Sequence, residues 1–206
     1  MVDILQTHVK LGFHSSYSTR LRTRPMPKVN RNGQAAILSG EQLAEVFDYL
    51  PEPHGLIFQI CYYTAARIGE VVQLQGQDIV SGYVVYRART TKTKKTRSVV
   101  VAPPLEQLLK LAQLPQQGYL FPGRFQGHIT TRACDKALRQ TLDYLGVRGV
   151  STHSFRRSLL TMMHFEKGYS LRTLQKITQH QDIGNLARYL EIGQQEADEA
   201  LKGLWS

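Results

Sequence analysis

The chain has little cysteine, no long apolar run and, in two stretches, almost no acid. Its two cysteines, Cys61 and Cys134, both fall within apolar helix-like runs, which argues against a disulfide framework and for reduced core thiols. The longest apolar stretch, Leu56 to Ala66, contains Gln59 and is too short to span a bilayer. The first residues mix Asp3, His8 and Lys10 with isolated apolar side chains, unlike a secretory leader, so a cytoplasmic protein is expected. No glycine-rich phosphate loop is present. The histidines lack ligand spacing and the acids do not cluster as a two-metal nuclease needs, so neither a metal nor another cofactor is expected.

What the sequence has is positive charge. Twenty-six Lys and Arg against 16 Asp and Glu give +10 and a pI near 9.8, which calls for a polyanionic partner. Residues 1 to 36 set Lys10, Arg20, Arg22, Arg24, Lys28 and Arg31 against Asp3 alone, with Pro25 and Pro27 and little periodic apolar content. This segment reads as a basic, largely irregular arm, either contacting a DNA backbone or simply solvated. A second acid-free stretch, Arg87 to Arg97, joins two β-rich runs, Tyr83 to Tyr86 and Ser98 to Val101. It carries Arg87, Arg89, Lys92, Lys94, Lys95 and Arg97 and predicts a cationic hairpin tip.

The rest is helical in pattern, and 42% hydrophobic content is enough for a core. Ser39 followed by Gln42 is a capping-box start for a helix through Leu50. Leu56 to Ala66 predicts a central helix, and a further one carries Val71, Val72 and Leu74 until Gly76 ends it. Pro104 opens another, stopped by Pro115, and Tyr119 to Pro122 forms a short extended piece. Thr130 to Leu145 is amphipathic, with Arg132, Lys136 and Arg139 off its apolar face and available to a duplex. The expected fold is mainly α with one small antiparallel β-sheet or hairpin. Residues 37 to 206 form its domain, closed by a helix over 194–204 that covers its own core or docks on a neighbouring copy.

Six groups stand out in order: Arg67, Lys92, His153 with Arg156 three positions on, His180, and Tyr189 nine positions after that histidine. This constellation, over about residues 36 to 190, resembles the tyrosine recombinase or phage integrase family, whose sites carry Arg, Lys, His-x-x-Arg, His and a C-terminal Tyr. The resemblance implies that family's catalytic-domain fold, with Lys92 as the hairpin lysine and Lys94 in reserve, and Glu70 as an acid orienting the basic groups. Two local contexts depart from the family: Thr64-Ala65-Ala66 stands where a Thr-Gly pair is usual, and Thr178-Gln179 precedes His180 in place of Leu-Gly. Many relatives carry a helical domain ahead of the catalytic one. Either this is a catalytic fragment, or it is a short form like the small invertases of phase variation.

The chemistry suits the residue types. A phosphodiester must have its charge neutralised, receive a nucleophile and lose a protonated oxygen. Arg67 and Arg156 offer the guanidinium fork that binds phosphate bidentately. Tyr189 offers a phenol of pKa about 10, a better leaving group than an alcohol when the step reverses. Lys92 would give a proton to the departing 5′ oxygen, His153 would accept a proton near Tyr189, and His180 would hydrogen-bond the phosphate. Arg87, Arg89, Lys94, Lys95, Arg97, Arg132, Lys136, Arg139 and Arg157 are the expected DNA contacts. The reading is a site-specific DNA recombinase working through a 3′-phosphotyrosine, on double-stranded DNA and as a dimer or tetramer on paired sites, nucleoid-associated when bound. A type IB topoisomerase and a catalytically weak DNA-binding regulator of the same fold are the alternatives.

Overall fold

A computed structural model describes residues 35–125, 127–180, 182–187, 190 and 202. The expected arm, apart from Ala35 and Ala36, lies outside these residues, as do Tyr189 and, apart from Lys202, the expected helix over 194–204.

The elements follow from local signals. Helix α1 (Gly40–Tyr49) starts at the Ser39 capping box, with Ser39 Oγ accepting from the Gln42 amide at 3.2 Å and Gln42 Oε1 accepting from the Ser39 amide at 3.1 Å. Helix α2 (His54–Tyr63) is buried nearly all round and forms the centre of the core. Phe155 of α6 (Thr152–Phe165) stacks on Phe58 at 4.7 Å and on Phe47 of α1 at 5.6 Å. Each such fully buried ring contributes about 1.5–3 kcal/mol of transfer energy. This packing sets the C-terminal end of α2 against α6.

Two expected boundaries move. The helix after Arg67 is only α3 (Ile68–Val71), and Leu74 lies beyond it. Gly76 is not its stop but opens a 3-10 turn, Gly76–Asp78. A Cβ at Gly76 would overlap the backbone of Pro115 and Gln116, so close approach demands glycine there. The extended piece at Tyr119 bridges Gln75 and sends the Leu120 amide to the Leu74 carbonyl.

The hairpin is a three-stranded antiparallel sheet: β1 (Ile79–Val80), β2 (Tyr83–Tyr86) and β3 (Arg97–Val100), in the order β1-β2-β3. Tyr86 pairs with Arg97, so Arg97 belongs to the base of the hairpin and not to its tip. Helix α4 (Pro103–Leu111) starts one residue before the expected proline. Helix α5 (Thr131–Leu145) runs from a Thr130 cap to Gly146, which takes the left-handed φ of 67° that closes a helix. Helix α7 (Leu171–Thr178) follows a Ser170 cap, and α8 (Ile183–Ala187) is short. Cys61 and Cys134 are free and buried, as expected. Among the described residues no helix is long and apolar enough to cross a membrane.

Candidate active site

The four described histidine and arginine candidates converge. Arg67 caps α3, and His153 and Arg156 stand one turn apart at the start of α6, where Ser151 caps the helix. Arg67, His153 and Arg156 line one small hollow together with Ala66, Ile68 and Thr152. His153 is exposed at its rim, whereas Arg156 is buried. His180 follows α7, with Nε2 at 3.4 Å from Arg156 Nη2 and Nδ1 at 2.7 Å from the Thr178 hydroxyl.

Backbone carbonyls hold the buried guanidinium. Arg156 Nη1 donates to the Ala65 carbonyl and Nη2 to the Thr178 carbonyl at 3.3 Å. Both acceptors lie just at the end of a helix, where carbonyls lack an intrahelical partner and the dipole favours a cation. The site is thus assembled from the ends of α2 and α7 and the beginning of α6.

Glu70 is buried and is not a surface helix charge. Its Oε2 accepts from the Arg67 amide at 3.0 Å and its Oε1 from Arg67 Nη1 at 3.3 Å. Oε2 also pairs with Arg97 Nη2 at 3.0 Å. Burial pushes the carboxyl up, but Arg97 and the Arg67 hydrogen bonds outweigh it and hold Glu70 below the usual carboxylate range. His180 is lowered as well, which here favours the neutral form: burial, then Arg156 and Arg67, with a smaller effect of Arg97 and against the pull of Glu70, bring it to about 4. It is neutral at physiological pH.

The expected DNA contacts divide. Arg89, Lys92, Lys94 and Lys95 are exposed on the connection between β2 and β3, and Arg132, Lys136 and Arg139 are exposed on α5. The α5 bases border a shallow hollow with Gln140, and Arg139 pairs with Asp135 at 2.9 Å. Arg87 is half-buried and committed to Asp78 at 2.6 Å.

Two assignments are corrected. Arg97 is buried at the base of the hairpin, with its guanidinium 4.2 Å from the centre of the Tyr86 ring and paired with Glu70, and is not an exposed base of the tip. Arg157 is buried too and donates to the Ala35 carbonyl at 2.7 Å, tying the entry of the chain to α6. Sequence reasoning also passed over Thr178, whose only signal was a hydroxyl two positions before a site histidine. Among the described residues no group of three or more His, Cys, Asp or Glu side chains is placed to hold a metal ion.

The family's two usual glycine positions are informative. Ala65, in the Thr64-Ala65-Ala66 context, has φ 49°, and Gln179, before His180, has φ 52°. Both are left-handed conformations that glycine takes without strain and other residues adopt at about 1–2 kcal/mol. Both positions adopt a conformation that favours glycine with other residues in place.

The phage integrase family model matches residues 37–196. The chain belongs to the phage integrase family. A Sinorhizobium fredii protein named as an integrase/recombinase (y4qK) is 35% identical over 146 residues, covering 68% of this chain and 46% of that one. The XerH site-specific recombinase in a post-cleavage complex with its difH substrate superposes with a TM-score of 0.65 at 20% identity, over 80% of this chain and 51% of that one. The catalytic domain of the bacteriophage HP1 integrase superposes with a TM-score of 0.60 at 21% identity, over 82% of this chain and 95% of that one. These two likenesses establish the fold, mainly helical with a small antiparallel sheet. The chain spans about half the length of the first two proteins.

Proposed function

We propose that the chain carries the catalytic unit of a site-specific tyrosine recombinase, which cleaves and rejoins double-stranded DNA through a 3′-phosphotyrosine on Tyr189. The observation that carries the reading is the convergence of Arg67, His153 and Arg156 on one hollow, with His180 against Arg156. A phosphodiester docked there would meet two guanidinium groups, each able to donate to non-bridging oxygens. Glu70 holds Arg67 from behind, so that group meets the anion already oriented.

Tyr189 would attack phosphorus, displacing the 5′ oxygen, and Lys92 would supply the proton that the departing oxygen takes. His153, exposed at the rim, is the acceptor for the phenol proton. The bond is conserved in the covalent intermediate, and a second 5′ hydroxyl reverses the step. The exposed bases of the hairpin tip and α5 supply backbone contacts. Residues 37 to 206 act as this unit, with the basic arm as an auxiliary phosphate contact. Copies assemble as dimers or tetramers on paired sites.

The test is trapping on a nicked duplex that carries the target site, taken from repeats flanking the coding region. The wild type is expected to form a protein–DNA adduct, and Tyr189→Phe to bind the duplex without forming one. An adduct that survives Tyr189→Phe would remove Tyr189 as nucleophile, and a wild type that binds without any adduct would mark a DNA-binding regulator. Ready relaxation of a supercoiled plasmid lacking the site would mark a topoisomerase.

A further inference from the structure

Thr178 ends α7 two residues before His180 and is buried at 1% exposure. Its hydroxyl lies 2.7 Å from the Leu174 carbonyl oxygen and 2.7 Å from His180 Nδ1. A hydroxyl has one proton and a carbonyl oxygen can only accept, so the Thr178 proton is directed to Leu174. The proton in the second contact must then come from the imidazole, with Nδ1–H donating to the Thr178 oxygen. On the far side of the ring, Nε2 faces Arg156 Nη2 at 3.4 Å. A guanidinium carries donors and no acceptor, so Nε2 must accept. Two independent constraints, on opposite sides of one ring, select the same tautomer.

We propose that Thr178 is a positioning residue of the site, which holds His180 as its Nδ1–H tautomer and so presents Nε2 as a hydrogen-bond and proton acceptor. The proposal deepens the recombinase reading and rests on it for the role of His180. It changes that role. Held neutral by burial and by the flanking arginines, a His180 with an unprotonated Nε2 has no proton there to give a phosphate oxygen. It orients Arg156 in the resting site, and it can donate from Nε2 only after taking up a proton.

Nitrogen NMR of histidine-labelled protein without DNA reads the tautomer directly, with the His180 signals assigned by their loss in His180→Gln. The expected wild-type pattern near neutral pH is a protonated, pyrrole-type Nδ1 and an unprotonated, pyridine-type Nε2. Thr178→Val, which keeps the shape and removes the hydroxyl, should average or invert that pattern, and Thr178→Ser should restore it. Thr178→Val should also slow adduct formation roughly tenfold, the scale of one lost hydrogen bond. A wild-type Nε2–H pattern overturns the proposal, and so does a wild-type pattern that persists in Thr178→Val. Should the valine variant fold poorly, Thr178→Ala and the wild-type spectrum decide. Because the spectra need no DNA, absence of any adduct from the wild type would sink the recombinase reading and leave the tautomer result readable.

Discussion

Replacing Arg97 by Met should destabilise the fold and change the way stability responds to pH. Arg97 and Glu70 are about equally buried, their charged atoms 3.0 Å apart. At that separation the gross attraction is about 5 kcal/mol for an effective dielectric near 20, most of it offset by the cost of desolvating both ions. The net worth of such a pair is small, but removing one partner leaves the other buried and costs about 3–5 kcal/mol. Glu70 would keep its two hydrogen bonds from Arg67, which places the loss at the lower end. The lost stacking on Tyr86 adds roughly 0.5–1 kcal/mol. A total near 4 kcal/mol is expected at about pH 7.5, summed from these two contributions.

The pH response supplies the sharper test. In the wild type the Glu70 carboxyl is held below its unfolded value, so its contribution is present above that value and is lost only as pH falls through the folded one. In Arg97→Met the largest influence opposing burial is gone, so the carboxyl rises from its depressed wild-type position. The stability that the depressed value confers toward neutral pH is then diminished, whereas in acid, with the carboxyl protonated in both proteins, the two differ least. Urea unfolding followed by circular dichroism should therefore show the deficit widening as pH rises from the acid side toward neutrality. A deficit below about 1 kcal/mol with parallel profiles for the two proteins would refute the idea that Arg97 is the main counter-charge of Glu70.

Lys92→Ala should cut adduct formation by roughly 10²- to 10⁴-fold, the usual scale of a general acid, and a substrate with a 5′-bridging sulfur should restore it because that leaving group needs no proton. If sulfur does not rescue, the donor is another base of the tip, Lys94 first. Binding of wild type to duplex DNA should weaken steeply with salt, and Lys94→Ala with Lys95→Ala should flatten the log–log slope by about 0.9 for each phosphate that is no longer neutralised. An unchanged slope in a titration by fluorescence anisotropy would show that the hairpin tip does not touch the backbone.

Much of the architecture was legible because local chemistry encodes it. The Ser39 box, the Thr130 and Gly146 ends of α5 and the continuous burial of α2 each depend on residues close in sequence. The order of Arg67, His153, Arg156 and His180 was legible as well, and the fold gathers them. What escaped depends on distant partners. Counted along the chain, Arg97 is one more base in an acid-free run. Only the pairing of Tyr86 with Arg97 and the position of Glu70, 27 residues upstream, reveal that it belongs to the interior. Arg157 is hidden for the same reason, since its acceptor at Ala35 is 122 residues away. The length of α3 was misjudged because apolar periodicity at Val71, Val72 and Leu74 continues past the helix into residues that are buried outside it.

The interior arginines also explain how a loose set of segments forms one rigid site. Arg97 donates to the carbonyls of Thr64 and Ile177, each at 3.4 Å, and Arg156 donates to those of Ala65 and Thr178. Two guanidinium groups therefore bridge consecutive carbonyls at the end of α2 to consecutive carbonyls at the end of α7. Two helix ends that face each other with exposed carbonyls would repel, and nothing apolar could satisfy them. Buried guanidinium groups do both jobs: Arg156 spans the seam with both of its Nη atoms, and Arg97 with Nη1 while its Nη2 pairs with Glu70. Left-handed residues stand at this seam, Ala65 as one of the acceptors and Gln179 directly after Thr178, so their strain goes with the turns that aim carbonyls inward. Gln179 adds a weak contact from its Nε2 to the Thr96 carbonyl at 3.4 Å, which draws the hairpin to the same seam. The base of the hairpin is in this way locked to Arg67 through Glu70, while Lys92 stays exposed on the connection between β2 and β3.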